Sequence, residues 1–321
     1  MKKINFNNIS AGFNNLSYIY EEIVLADDLK VDESFICLLG SNIKSLPRGL
    51  EAASINIGCT LISKLPEDLI VGEVIADHTA ISSISSETIR GIKRLVISST
   101  LVTELPDETC LDYLDISNTL ISNIPEGMVQ RYKLPSGNVV NNLGSLRASG
   151  CRLLTTLPNF WSSGLLDISN TMISELPEGL SHVVGDLILS GSLVTKLPED
   201  LVVEGDLDIS NTLITELPKN LVVKGSIIAR SSAIEKIPAG IVIGGDLILS
   251  HSAISKLPDN MWVKGGMDIT FTRIKSIPQN IRVDGVVNIG YSSVEVSWVN
   301  DNLNIDKTNS LYGEFLGYED D

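Results

Sequence analysis

Between residues 197 and 296 the chain repeats one order of apolar and polar positions five times. The copy LPEDLVVEGDLDISNTLITE (197–216) is followed by LPKNLVVKGSIIARSSAIEK, IPAGIVIGGDLILSHSAISK, LPDNMWVKGGMDITFTRIKS and IPQNIRVDGVVNIGYSSVEV. A fixed period of twenty residues marks a stacked-repeat architecture. Within a copy, LDIS (207–210) alternates with period two, which predicts a short strand. Leu207 and Ile209 then face the core, and Asp208 and Ser210 face outward. Gly205 permits a tight turn before the strand, and Ile214 and Leu217 lead back to the core. Pro218 cannot sit inside a helix, so the return path is extended. No copy has room for a regular outer helix. The pattern predicts a solenoid with a single parallel sheet of about thirteen short strands, roughly 60 Å long at about 4.8 Å per strand. Its convex side is extended or loop-like, so the expected curvature is shallow.

A leucine or isoleucine landmark places the copies along residues 25–297. It stands at Leu25, Leu46, Leu65, Ile84, Leu105, Ile124, Leu157, Leu176, Leu197, Leu217, Ile237, Leu257 and Ile277. The step is 19 to 21 residues except between Ile124 and Leu157, where it is 33. The excess falls in 131–142 (RYKLPSGNVVNN) and reads as a loop insertion, either a carrier of specificity or an idle one. Residues 1–24 depart from the pattern and are expected to form an amino-terminal cap, with a flexible export signal over about 1–15 a compatible reading. Residues 298–321 are expected to form a carboxy-terminal cap, with Leu303, Ile305, Leu311, Phe315 and Leu316 covering the last layer, and an acidic tail.

After each predicted strand comes a small polar residue: Ser41, Thr60, Thr79, Thr100, Thr119, Cys151, Thr171, Ser192, Thr212, Ser232, Ser252, Thr272 and Ser292. Twelve of these thirteen carry a hydroxyl. The expectation is a structural ladder in which the hydroxyls bridge turn groups of adjacent copies. The outward strand position holds Cys37, Asn56, Ile75, Val96, Asp115, Arg147, Asp167, Ile188, Asp208, Ile228, Ile248, Asp268 and Asn288. Asp115, Asp167 and Asp208 fall on alternate strands, a spacing that suits a basic partner segment lying along the groove. Near the strand end, His251, Phe271 and Tyr291 stand on consecutive strands where most earlier copies have Gly, Ser or Asn. These rings form a candidate hot spot for a partner, or else shelter the carboxy-terminal cap. A third row, Leu61, Leu101, Leu120, Met172, Leu193 and Leu213, is a docking or self-association stripe if exposed and core if covered.

Composition narrows the chemistry. The chain is 43% hydrophobic but only 5% aromatic, so its core is aliphatic. A formal charge of -16 argues against nucleic acid or an anionic membrane as partner. Cys37, Cys59, Cys110 and Cys151 form no CxxC pair and read as buried small hydrophobes in a reducing compartment. His78, His182 and His251 lie in different copies, and no Ser-His-Asp or Cys-His set emerges from spacing. No phosphate-cradling glycine loop or clustered metal motif is present, so the expectation is no catalytic site, no cofactor and no metal centre. Asp206, Asp208, Asp186 and Asp246 are compatible with a weak calcium site or with a solvated acidic face. The amino terminus shows no apolar run of Sec-signal type.

The piece LDISNTLITELP (207–218) resembles the leucine-rich repeat LxLxxNxLxxLP, with Thr212 in the asparagine place. The short period, the Leu-Pro pair and the missing outer helix resemble the bacterial type, best known from type III secreted effectors of the YopM and IpaH kind. The resemblance implies a scaffold that is secreted without a Sec signal, enters a host cell and binds host proteins through its concave face. A bacterial or phage scaffold or regulatory protein that stays in the bacterial cytoplasm is the alternative. The ubiquitin-ligase domain of the IpaH kind is not implied, because the chain has no cysteine after Cys151.

Overall fold

A computed structural model describes residues 3–6, 22–27, 35–107, 111–133, 137, 139–295 and 303–306. The chain divides into two compact units, Met1–Phe160 and Trp161–Asp321. In the first unit a parallel sheet runs through Phe35–Cys37, Glu51–Asn56, Ile70–Ile75, Arg94–Val96, Tyr113–Asp115 and Ser145–Arg147. In the second unit the corresponding strands are Leu166–Asp167, Leu187–Ile188, Leu207–Asp208, Ile227–Ile228, Leu247–Ile248, Met267–Asp268 and Val286–Asn288. The register advances by one copy per strand, so Leu207 pairs with Ile227 and Ile227 with Leu247. The thirteen expected strands are therefore present, and among the described residues helix is confined to a single turn at Ser86–Ile89 and a 3-10 turn at Glu126–Met128. The fold is a leucine-rich-repeat solenoid.

The extended side of the second unit is itself paired. Its strands Ser162–Ser163, His182–Val183, Val202–Val203, Val222–Val223, Val242–Ile243, Trp262–Val263 and Arg282–Val283 form a second parallel ladder. The β-branched pairs Val202–Val203, Val222–Val223 and Val242–Ile243 favour this extended geometry. Each copy of the second unit thus contributes two short strands to a shared core. In the copy at 197–216, Leu197, Leu201, Val203, Leu207, Ile209 and Ile214 are all buried. At roughly 1.5–3 kcal/mol per buried aliphatic side chain before entropy is subtracted, the core is built by contacts between copies, since one copy cannot enclose its own apolar face.

The turns between the two ladders are packed tightly. A Cβ on Gly225 would lie 2.6 Å from the Gly205 carbonyl oxygen and would also strike Asp206 Oδ1. That carboxylate has a structural partner: Asp206 Oδ1 accepts the Ser226 amide (2.7 Å). Asp186 likewise accepts the Asp206 amide (2.9 Å), Ser226 Oγ accepts the Asp246 amide (3.0 Å), and Asp246 accepts the Gly266 amide (2.7 Å). Of the four carboxylates weighed as calcium ligands, these three instead tie each copy to the next.

The insertion forms an antiparallel pair, Gln130–Lys133 with Val139–Asn142, where the sequence suggested a loop. Lys133 and Val139 are opposed across this pair. Of the expected caps, Lys3–Phe6 pairs in parallel with Glu22–Leu25, and Asn304–Asp306 adds a strand beside Val286–Asn288. Leu311, Phe315, Leu316 and Cys110 lie outside the described residues.

Candidate functional site

The surface next to the first ladder is set by one turn, repeated thirteen times. The residue before each ladder hydroxyl has a left-handed backbone in every copy. Gly40, Gly150, Gly191, Asn118, Asn170 and Asn211 hold that position in copies where the sequence is ordinary. Gly and Asn tolerate a positive φ; larger residues pay about 1–2 kcal/mol for it. Yet His251 (φ 61°), Phe271 (φ 56°) and Tyr291 (φ 54°) occupy it in consecutive copies. The turn turns their side chains out together. The His251 and Phe271 ring centroids are 4.3 Å apart and those of Phe271 and Tyr291 4.7 Å, each pair inclined by 11°. Phe271 remains 48% exposed and Tyr291 37%. The rings shelter one another and still present an open aromatic edge.

The outward acidic row is part of the same turn. Asp115 Oδ1 accepts the Ser117 amide (2.9 Å), Asp208 Oδ1 the Ser210 amide (2.9 Å) and Asp268 Oδ1 the Thr270 amide (3.0 Å). Asp167 Oδ1 accepts both the Ser169 amide (3.0 Å) and the Ser169 hydroxyl (2.7 Å), and Asp167 is buried. A short carboxylate that folds back two residues is an ordinary turn-former. The half-buried Asp115, Asp208 and Asp268 therefore each commit one oxygen to structure. Between Asp208 and Asp268 the row is apolar, with Ile228 and Ile248 partly exposed.

The hydroxyl ladder is buried, but its bonds run differently from the sequence expectation. Thr60, Thr79, Thr100, Thr119, Thr171, Thr212 and Thr272 each donate to the carbonyl three residues earlier in their own turn, at 2.7–2.8 Å. The bond closes one turn, because Oγ1 of a residue following a left-handed position already points back at that carbonyl. Only Cys151 reaches across copies, donating to the Ile116 carbonyl at 3.0 Å. Burial raises the Cys151 thiol above its ordinary pKa, and the hydrogen bond to Thr119 partly offsets this. Ser41, Ser192 and Ser252 leave their buried hydroxyls without a hydrogen-bond partner in the protein. In all three the nearby carbonyl belongs to a leucine, Leu38, Leu189 or Leu249.

The stripe beside the ladder is exposed: Leu61, Leu101, Leu120, Met172, Leu193 and Leu213 are all among the open large apolar residues. On the second ladder of Trp161–Asp321, charges pair across copies. Glu204 meets His182 (3.2 Å) and Lys224, and the bonds to Lys224 and then His182 lower its carboxyl pKa. Arg282 and the Trp262 indole both hold Asp284, at 2.6 and 3.1 Å, and lower its pKa in the same order.

One grouping escaped the sequence reading. Cys59, Asp77 and His78 bring their ligand atoms within 4.8 Å of one another. Cys59 is exposed, not a buried hydrophobe. The signal was available: Cys59 and His78 are 19 residues apart, one copy of the repeat, and hold the same turn position. Metal motifs are usually sought as short spacings, and in a solenoid the relevant spacing is the period.

Together the exposed rows and the closed aliphatic core define a leucine-rich-repeat solenoid. No protein-family model matches the chain, and no curated protein matches its sequence. Among solved structures, YopM from Yersinia enterocolitica WA-314 is similar over 91% of this chain and 74% of its own, with 18% identity and a TM-score of 0.44. Among the described residues no helix is long and apolar enough to cross a membrane.

Proposed function

We propose that this chain is a non-enzymatic scaffold that binds a protein partner along the outward face of its first ladder. The observation that carries this reading is the exposed ring stack of His251, Phe271 and Tyr291, held in a backbone conformation that such residues rarely adopt. Strain kept at an exposed position points to use, since Gly or Asn would fold there at lower cost. The adjoining row reads acidic, apolar, apolar, acidic across Asp208, Ile228, Ile248 and Asp268, about 14 Å over three strand steps. Its complement is an extended partner segment with basic residues at both ends and aliphatic ones between. Asp167 of the same unit adds little to the row because it is buried, and Asp115 holds the equivalent position in the first unit. The net charge of -16 favours the same partner.

The repeat's sequence resemblance to the type III effectors supports placing the partner in a host cell, with export independent of a Sec signal. An unexported scaffold is the second reading, favoured if the full-length chain is not exported; equal export of a chain lacking residues 1–20 removes only the argument for an amino-terminal signal. The binding test is capture from host-cell lysate by wild-type protein and by a Phe271→Ala, Tyr291→Ala, Asp208→Asn variant. The expected result is loss of specific captured proteins with an unchanged circular dichroism spectrum. Equal capture by the folded variant overturns the assignment and moves the search to the hairpin at 130–142.

A further inference from the structure

We propose that Cys59, Asp77 and His78 form a binding site for a divalent transition metal, with Zn2+ the ion best matched to their donors. Three departures from the repeat coincide here. At the left-handed turn position, where other copies have mostly Gly, Asn or Ser, neighbouring copies carry Cys59 and His78, both at φ 55°. One residue earlier the row runs mostly through serines, and Asp77 is its only carboxylate among thirteen copies. The backbone brings the three together: the Cys59 amide donates to the Asp77 carbonyl (2.9 Å), so the two turns lie side by side. His78 Nδ1 lies 3.1 Å from Asp77 Oδ2. Gly58 makes room for the carboxylate, since a Cβ there would come within 2.6 Å of Asp77 Oδ1.

The donor set selects the ion. A thiolate and an imidazole favour borderline metals over calcium or magnesium, which require oxygen ligands. With metal–ligand bonds of about 2.0–2.3 Å, the donors of a tetrahedral site stand roughly 3.3–3.5 Å apart. The ligand atoms lie within 4.8 Å of one another, and Cys59 and His78, which flank the half-buried Asp77, are exposed and have the freedom to rotate toward a shared ion. Three protein donors leave the fourth position for water or for a donor from a bound partner. The site is separate from the ring stack and does not depend on the proposed partner.

The test uses the full chain, kept reduced and titrated with Co2+ and then with Zn2+ in competition. Thiolate ligation gives a near-ultraviolet sulfur-to-cobalt charge-transfer band, which Zn2+ should displace. The variants Cys59→Asn and His78→Asn put at each position a residue that the fold already accepts there, at Asn118, Asn170 and Asn211. Cys59→Asn should abolish the band, and His78→Asn and Asp77→Asn should each weaken binding by at least about tenfold, as loss of a ligand or its orienting partner does. No band in the wild-type protein, a band that survives Cys59→Asn, or equal affinity in His78→Asn would each overturn the site.

Discussion

At the scale of single residues the same turn position does two jobs. A hydroxyl that donates to the carbonyl three residues back closes the turn, and the residue before it chooses what the surface shows. The ladder was legible in the sequence as a recurring Thr or Ser, because spacing reveals which residues repeat. Its bonding was not legible, because spacing cannot say whether a hydroxyl reaches the next copy or its own. The contrast between Thr171, bonded to the Ile168 carbonyl at 2.7 Å, and Ser192, which has no partner, is testable. Thr171→Val should cost about 1 kcal/mol, the usual net worth of one buried hydrogen bond. Ser192→Ala removes a buried hydroxyl that bonds to nothing, so it should lie within about 0.5 kcal/mol of wild type or be stabilising. Urea unfolding of the two variants decides. Equal losses would mean that the Ser192 hydroxyl has a partner in solution.

At the scale of elements, strands of two residues are too short to hold alone, and close stacking makes up the difference. The period-two alternation of LDIS was enough to find the first ladder. The second ladder was hidden, because Val202 and Val203 read as a plain apolar run with no alternation to mark a strand. Glycine identifies where adjacent copies touch. Gly225→Ala would drive a methyl group against the Gly205 backbone and should cost at least about 2 kcal/mol, as overpacking does. Gly91 faces open space and has no left-handed backbone, so Gly91→Ala should be neutral or stabilise by up to about 1 kcal/mol through the unfolded chain. Thermal melts of both variants check this. Equal melting temperatures would remove the claim that glycine sets the approach of the turns.

At the scale of the molecule, the period itself is the unit of structure. Deleting residues 217–236 joins Glu216 to Ile237 and keeps the phase of every later copy. That chain should fold, with a circular dichroism spectrum like wild type and a slightly smaller urea m-value, because stability is summed over neighbouring copies. Deleting 217–226 breaks the phase and should abolish the cooperative transition. Identical unfolding of the two deletions would show that register is not what organises the array. The carboxylates at the turns add a direction to this repetition. Asp186, Asp206 and Asp246 each accept an amide from the copy that follows, never from the one before. On the ribosome the earlier copy emerges first and already carries its acceptor, while the later copy brings the donor. At these turns growth at the leading end leaves a solvated carboxylate waiting, while on the first ladder it leaves amides such as those of Leu207 and Ile209 waiting for the carbonyls of Ser226 and Ile228. The turn carboxylates thus share the direction of the second ladder, where the Val222 amide donates back to the Leu201 carbonyl, and oppose that of the first, where the Leu207 amide donates forward to the Ser226 carbonyl.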